Sequence, residues 1–471
     1  MFLMGGNLEF EFSQRGRKTM SKKTWSSMLF ALALGLCLSG IAIGQEITGS
    51  IVGTVRDSNG AGVPGATVTI TDSTKNDMVV RTLTTNDNGV FSAPDLATST
   101  YNVNVQAANF KKTIQTGVKV DVGSRRLVDF TLEAGQIEEV VTIQADTVAV
   151  ELNTPTVGTT INGDQIRELP VNNRNWVQLI TLAPGVSNNL ADQVYVGTTN
   201  PDGQANTVQI SVNGARSSQN TFTVDGADVT DRGSNLTIQA YPSVDSIGEF
   251  KVLRSLYPAE SGRSGGGQVN VVTRSGSDQF HGTFYEFIRN DAFNAGKYFD
   301  NQTRPAGVDE NGKAKRPPFR YNNYGWTVGG PIYFLKFGER DPSDGYFGKI
   351  PRTYFFFSQE FRRDTRYPTF ASTVPDANLR QGIFPIDICL QASGTTCTEF
   401  LPAGTALSTL RPINPVSQQY LDFIYDNVPL PNSTNAATPY NLSFPTQSIS
   451  KFQQEIVKVD TSFTDNWSGY Y

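Results

Sequence analysis

Histidine is almost absent from this sequence, which has one, His281, in 471 residues. A histidine-rich zinc site needs several such ligands, so a centre of that kind is excluded. The three cysteines, Cys37, Cys389 and Cys397, are not arranged as paired C-x-x-C ligands. We therefore predict no metal, no cofactor and no catalytic residue.

Long apolar runs are also lacking beyond the N-terminus. No internal stretch provides the ~20 apolar residues of a membrane-spanning helix, so any crossing of a membrane has to use β-strands. An excess of basic charge is missing as well, since the net charge is -5. An acidic chain is poorly suited to binding nucleic acid, and we predict no nucleic-acid partner.

Glycine and aromatic residues, in contrast, are abundant. The chain has 43 Gly, 29 Phe and 17 Tyr, a composition that favours many strands and turns over helices. Its length allows two or three domains. These observations predict a mainly β protein.

The N-terminal residues 1–44 have the pattern of an export signal. A Lys22-Lys23 pair precedes an apolar run at 28–38, and Ala42-Ile43-Gly44 supplies the small residues that a signal peptidase recognises. We predict cleavage before Gln45. A membrane anchor is the alternative interpretation, but the apolar run is short for one.

Residues 46–134 contain about seven short alternating segments separated by turn signals such as Pro64-Gly65. About seven strands in ~90 residues is the spacing of an immunoglobulin-like β-sandwich. The aromatic residues Tyr101 and Phe110 are expected in its core, with a sugar-binding platform as the alternative.

The stretch 246–290 joins two kinds of structure. It begins with a predicted strand at 249–254, passes through a glycine-dense turn at 262–267 and continues as a second strand at 268–273. Glycine at this density indicates positive φ or close approach of another backbone. An aromatic-rich strand follows at 280–289, so a small globular domain ends here and an aromatic β-structure begins.

Four segments of this stretch carry a family resemblance. They are Ile247-Gly248-Glu249-Phe250-Lys251-Val252, Tyr257-Pro258-Ala259-Glu260-Ser261-Gly262, Gly266-Gly267-Gln268-Val269-Asn270-Val271-Val272-Thr273 and Phe280-His281-Gly282-Thr283. In this order and spacing they resemble the end of the plug and the first barrel strand of TonB-dependent outer-membrane receptors, in particular their Oar-like branch. Residues 46–134 resemble a carboxypeptidase regulatory-like domain, whose fold is grouped with carbohydrate-binding-like sandwiches.

The resemblance implies an α+β plug at 151–276 and the first strands of an incomplete antiparallel transmembrane β-barrel at 277–471. The alternation of apolar and polar residues agrees with a barrel, because successive residues of a barrel strand point to its two opposite faces. The example is Phe355, Phe357 and Phe361 on one face and Ser358, Glu360 and Arg362 on the other. Such barrels close with about 22 strands, and only four complete candidates and a start are found, so we expect the N-terminal part of a longer receptor.

Residues 135–150 form a predicted linker with one informative segment, 138–145. It is short, β-branched and next to acidic residues, which suits addition to the edge of a partner's sheet. It resembles the TonB box of the family, with the candidate residues Glu138, Glu139, Val140, Val141, Thr142 and Ile143. The alternative is a last strand of the sandwich.

Four charged residues of the plug are candidates for ion pairs with the barrel wall that hold or release the plug. They are Arg216, Asp225, Asp228 and Arg254. Solvated or purely structural pairs are the alternative.

The long polar segments 291–320 and 366–450 are expected to be extracellular loops. Cys389 and Cys397 are a candidate disulfide within the second of these loops, in an oxidising compartment, with unpaired thiols as the alternative.

The resemblance implies a receptor and transporter in the outer membrane of a Gram-negative-type bacterium, exported by the signal peptide. Its partners would be a TonB-like energising protein in the periplasm, outer-membrane lipid and an unidentified extracellular ligand, with carbohydrate and oligopeptide as candidates. No enzyme activity is expected, because a metallocarboxypeptidase needs zinc ligands that one histidine does not supply. The alternatives are an Oar-like surface protein for adhesion and a secreted carbohydrate-binding protein.

Overall fold

The structure is a computed structural model. It describes residues 47–136, 140–144, 155–171, 174–188, 208–257, 261–262, 265–295, 298, 310, 316, 318–335, 347–367, 369–432, 441–465 and 467–471. The predicted export signal at 1–44, and Glu138 and Glu139 of the predicted TonB box, lie outside these described residues.

The N-terminal sandwich packs two sheets against each other. Its strands are β1 (Gly49–Asp57), β2 (Thr67–Asp72), β3 (Met78–Thr84), β4 (Val90–Leu96), β5 (Ser99–Gln106), β6 (Lys112–Val120), β7 (Arg125–Leu127), β8 (Phe130–Leu132) and β9 (Val140–Gln144), with a 3-10 turn at Ser73–Lys75. One sheet has the order β4-β1-β7 with β8 also paired to β1, and the other has the order β3-β2-β5-β6-β9.

The sandwich core follows from alternation along these strands. In β2, Val68 and Ile70 are buried while the threonines that alternate with them are half-buried. Tyr101 is also buried, and its hydroxyl donates to the carbonyl oxygen of Ala97 at 2.6 Å. Phe110 packs against the same core. Tyr101 therefore lies in the core, as expected, and Phe110 packs against it.

A second unit follows the sandwich in the range predicted as the plug, and we call it the plug. Its elements are β10 (Val157–Asn162), α1 (Gly163–Glu168), β11 (Val186–Asn188), β12 (Ile210–Val212), β13 (Thr221–Val224), β14 (Ala227–Asp228), β15 (Ile247–Ser255) and β16 (Gln268–Thr273), with 3-10 turns at Trp176–Leu182, Ser217–Gln219 and Val244–Ser246. The main sheet has the order β10-β15-β16-β13-β14, and β11 pairs with β12. The strands β12 and β13 pair with different partners and not with each other.

Local sequence explains both the start of α1 and the centre of the plug core. Asn162 caps α1, accepting from the Gln165 amide at 2.9 Å, and the Gln165 side chain accepts from the Asn162 amide at 3.2 Å. Trp176 is buried between Tyr241 and Phe250, with ring centroids 5.4 Å away in each case. These rings join the irregular first half of the plug to strand β15 of the main sheet.

The glycine-dense turn allows close approach of neighbouring segments. A Cβ on Gly267 would lie 2.6 Å from Cγ2 of Val212, and one on Gly266 would lie 2.6 Å from Oδ1 of Asn220. The predicted reason for these glycines was either positive φ or close contact, and the structure shows close contact at these two positions.

The C-terminal half forms an open sheet that we call the wall. From residue 277 onward the elements are β17 (His281–Asn290), β18 (Phe319–Leu335), β19 (Phe347–Arg366), β20 (Thr369–Ser372), α2 (Ala377–Arg380), β21 (Ile388–Ser393), β22 (Thr396–Leu401), α3 (Pro415–Asn427), β23 (Leu442–Pro445), β24 (Ser448–Thr464) and β25 (Trp467–Tyr470), with 3-10 turns at Asp291–Phe293 and Leu407–Thr409. The wall is antiparallel, in the order β17-β18-β19-β24-β25. Together the three parts confirm the predicted fold class.

The segment predicted as a long polar loop at 366–450 contains more structure than expected. It holds the hairpin of β21 and β22, the pair β20 and β23, and the 13-residue helix α3. The wall strands also extend into the predicted loops, because β18 begins at Phe319 and β24 at Ser448. Within the described part of the chain, no α-helix is both long and apolar enough to span a bilayer.

Candidate functional site: the plug–wall interface

The wall has two chemically different faces. On β19 the buried positions are Tyr354, Phe356, Ser358, Glu360, Arg362 and Asp364, while the phenylalanines predicted for the other face, Phe355, Phe357 and Phe361, are only half-buried. On β24, Lys458 is buried, whereas Val457 next to it is 57% exposed. The polar face is the one that meets the plug, and the more apolar face points away from it.

One candidate switch residue of the plug reaches the wall. Asp225 follows β13, and its Oδ1 lies 3.1 Å from Nζ of Lys458 on β24. The same ammonium donates to the carbonyl oxygen of Thr273 at 3.2 Å, and the Tyr470 hydroxyl donates to the Asp225 carbonyl at 2.8 Å. Two wall strands therefore bind the ends of two plug strands, β13 and β16, through charge and hydrogen bonds.

The structure places the other three candidates within the plug. Asp228 pairs with Arg232, four residues further along the chain. Arg254 donates from its guanidinium to the carbonyl oxygen of Pro184 at 2.7 Å. Arg216 is exposed and forms no ion pair within the described part of the chain. These three positions are not brought to the described wall strands.

Arg174 is a plug–wall contact that the sequence interpretation missed. Its guanidinium stacks over two rings of the first wall strand, at 4.8 Å from the centroid of Tyr285 and 4.2 Å from that of Phe287. It also forms an ion pair with Asp245, which is buried in the plug. Burial raises the pKa of Asp245, and the charge of Arg174 opposes that rise. No local pattern marks Arg174, because it lies in an irregular segment.

Lys458 was also missed as a partner of Asp225, although a signal was present. Alternate residues of a strand share a face, so Lys458 lies on the same face of β24 as Asp460 and Ser462. Val457 and Val459 lie on the opposite face. A single lysine on the inward face of a wall strand predicts an acidic partner inside. The sequence does not show which carboxylate that partner is.

The plug and wall enclose a crevice of about 330 Å³ beside this ion pair. Its lining includes Asp225, Tyr241 and Thr273 from the plug and Phe452 and Glu455 from the wall. Across the described residues, no group of three or more His, Cys, Asp or Glu side chains is placed to hold a metal ion. The crevice is therefore a gap between two surfaces that offer hydrogen bonds and one ion pair.

The described part of the TonB-box candidate, Val140 to Ile143, lies in β9 at the edge of the sandwich. It pairs in parallel with β6, from Lys112 opposite Val140 to Thr116 opposite Gln144. Val140 is 52% exposed and Ile143 is 42% exposed. The segment predicted as a linker is thus the last strand of the sandwich, which was the alternative interpretation, and it forms an edge with no further strand beside it among the described residues.

The two cysteines near the tip of the long loop are joined. Cys389 and Cys397 form a disulfide across the hairpin of β21 and β22, with their Cα atoms 5.8 Å apart. The bridge closes a short loop far along the chain from the ion pair of Asp225.

Comparisons with known proteins match the two ends of the chain to two families. Residues 50–133 match the carboxypeptidase regulatory-like domain, and residues 272–471 match the outer membrane beta barrel domain. Among curated proteins, the TonB-dependent transporter Oar of Myxococcus xanthus is 26% identical over 310 residues, which is 64% of this chain and 27% of that protein. The ferrienterobactin receptor of Escherichia coli (strain K12) is 25% identical over 266 residues, 54% of this chain and 30% of that protein.

The chain also matches solved structures, at lower sequence identity than these curated proteins. The outer membrane transporter YddB from Escherichia coli is 18% identical, covering 46% of this chain and 27% of its own, with a TM-score of 0.31. The siderophore receptor PirA from Acinetobacter baumannii is 17% identical, covering 49% of this chain and 27% of its own, with a TM-score of 0.28. This chain spans about a third or less of the length of each of these proteins.

Proposed function

From its homology to the TonB-dependent transporter Oar, and from its regulatory-like and outer membrane barrel domains, we propose that this chain acts as a TonB-dependent receptor and transporter. It resides in the outer membrane and takes up a ligand with energy from a TonB-like protein. Residues 1–44 serve as its export signal, with cleavage before Gln45.

One observation carries this proposal, namely that a plug with its own core sits against the polar face of a two-faced wall. The wall presents Glu360, Arg362 and Lys458 to the plug side and Phe357 and Val457 to the opposite side. A soluble sandwich would bury the apolar side and expose the polar one. A wall with its polar face towards the plug and its apolar face outwards suits a barrel whose outer surface lies in lipid and whose interior is filled by the plug.

The proposed mechanism couples β9 to the plug through the chain. Glu138 to Ile143 act as the TonB box, and the partner adds a strand by pairing with the exposed edge of β9. The next described strand along the chain is β10, which pairs with β15 at the edge of the plug sheet. Force applied at β9 is therefore delivered to the plug, where it opposes the ion pair of Asp225 and Lys458.

The proposed ligand is extracellular, with carbohydrate and oligopeptide as the two candidate classes. No covalent chemistry is proposed, and the sandwich is a binding or positioning module without peptidase activity. The relatives are described as a transporter and a receptor. Outer-membrane lipid contacts the apolar face of the wall.

A proline at Val140 tests the role of β9. Proline removes the amide hydrogen at that position, so a strand added by the partner loses a hydrogen bond. We expect Val140→Pro to abolish energised uptake, measured with a panel of labelled glycans and oligopeptides on whole cells, while outer-membrane insertion stays normal. The matched control is Val140→Thr, which keeps the amide and alters only a half-exposed side chain.

Two results would overturn parts of the proposal. Normal uptake by Val140→Pro would remove the assignment of the TonB box. Recovery of the full-length gene product from the periplasm or medium as a soluble protein would remove the receptor assignment itself. Membrane-located protein with no uptake of any panel member, and cell adhesion lost on its deletion, would favour the surface-adhesion alternative.

A further inference from the structure

The sandwich and the plug meet at a small buried polar interface. The turn between β6 and β7, residues 121–124, touches strand β15 of the plug. The amide of Val122 donates to Oε1 of Glu249 at 2.6 Å, and Nζ of Lys251 donates to the carbonyl oxygen of Gly123 at 3.1 Å. These two hydrogen bonds run in opposite directions across one short contact.

The groups in this interface are buried. Val122 is fully buried although it lies in a turn, Glu249 is 6% exposed and Lys251 is 2% exposed. Undocking of the sandwich would return a carboxyl and an ammonium group to water, which both prefer. Docking through this contact is therefore opposed by the preference of two charged groups for water.

The charges around Glu249 come from both domains. On the sandwich, the charge of Asp121 acts on Glu249, and Asp121 carries ion pairs to Lys119 at 2.8 Å and Arg126 at 3.5 Å. On the plug, Lys251 lies two residues further along the same strand. Two carboxyl groups that share a buried site are stable there when one of them carries a proton.

We propose that residues 121–124 form a proton-sensitive latch that holds the sandwich on the plug under mildly acidic conditions and releases it as the medium becomes neutral to alkaline. The titrating group is Glu249, and the docking surface is the turn centred on Val122 and Gly123. The latch concerns domain docking and does not depend on which ligand the receptor takes up.

The direction of the pH effect follows from Glu249. Burial, and after it the charge of Asp121, raise the pKa of Glu249 from 4.5 to about 7 in the docked state. A group stabilises docking when its pKa is higher in the docked state than in the undocked state. The stabilisation is complete below the undocked pKa, and it is lost as the pH rises through the docked pKa. The window is therefore pH 4.5 to about 7, and the docking equilibrium should fall by roughly seventyfold between about pH 5 and pH 8.

Spin-label distances in the full-length protein test the latch. Labels at Asn59→Cys in the sandwich and Leu182→Cys in the plug occupy exposed positions, and the disulfide of Cys389 and Cys397 does not react. We expect one distance population at pH 5 and a second, broader and longer one that grows by pH 8. Glu249→Gln keeps an oxygen acceptor for the Val122 amide without a titrating proton, so the docked distance should persist at both pH values.

Two further variants keep the test decisive. Glu168→Gln removes the same charge from an exposed plug position and should behave as the unmodified protein. Asp121→Asn, on the sandwich side, should move the midpoint to lower pH. An unmodified protein with the same distance distribution at pH 5 and pH 8 would overturn the latch, and so would pH dependence that survives in Glu249→Gln. Uptake is not measured here, so this result is separable from failure of the transport proposal.

Discussion

Nζ of Lys458 in the wall lies 3.1 Å from Oδ1 of Asp225 in the plug, with side-chain exposures of 7% and 20%. Asp225 also accepts from the Thr273 amide at 3.0 Å, which ties the carboxylate to β16. One carboxylate thus connects two plug strands to the wall. Removing one member of a buried pair leaves the other charge unpaired, which costs more than the pair contributes when intact.

Lys458→Met should loosen the plug in the wall. The cost for a fully buried pair is about 3–5 kcal/mol, and the partial exposure of Asp225 reduces it to about 1–3 kcal/mol. We expect amide hydrogen exchange in residues 221–228 to accelerate at least tenfold, and a large antibiotic to pass the outer membrane faster.

Lys451→Met is the matched control for that prediction, since Lys451 lies on the same strand at an exposed position. The double variant Asp225→Asn with Lys458→Met should recover part of the loss, because neither charge is then left alone. Unchanged exchange in Lys458→Met would show that the pair does not hold the plug.

Gly276→Ala should impair assembly of the wall on the plug. A Cβ at Gly276 would lie 2.3 Å from the carbonyl oxygen and 2.8 Å from the amide nitrogen of Phe355. Both are backbone atoms of a central wall strand, so neither can rotate away. We expect a severe loss of folded protein in the outer membrane, measured by resistance to protease in intact cells. Gly233→Ala, whose Cβ would meet nothing closer than 3.4 Å, should assemble normally; equal yields of the two variants would contradict the prediction.

Loss of the disulfide should affect the loop hairpin alone. Cross-linking residues separated by 8 positions stabilises a hairpin by about 2–3 kcal/mol in the chain-entropy description. We expect Cys389→Ser with Cys397→Ser to speed protease cleavage within 388–401, while the wall keeps its melting temperature. A fall in that temperature would show that the hairpin is coupled to the wall.

Features that depend on neighbouring residues along the chain were predictable. Strand β16 was predicted at 268–273 and is found at Gln268–Thr273. The resemblance to TonB-dependent receptors is confirmed by the homology to Oar and by the two domain matches. The alternation of β19 was also correct, because a period of two decides which side chains share a face.

The first wall strand shows where alternation was insufficient. Aromatic residues occupy both faces of β17, so parity alone did not assign its inner side. Arg174 decides it, since its guanidinium lies over Tyr285 and Phe287 and therefore marks their face as the one towards the plug. That contact joins residues more than a hundred positions apart, a distance over which periodicity carries no information.

The sequence by itself determined the order of the parts, the positions of the main strands and the polar and apolar faces of the wall. Each of these follows from local periodicity, from turn residues or from glycines that permit close packing. The tertiary structure alone decided that Asp225, among four candidate charges, meets the wall, and that the turn at 121–124 meets Glu249. Both are pairings between distant segments, and the packing of whole domains selects which charges become neighbours.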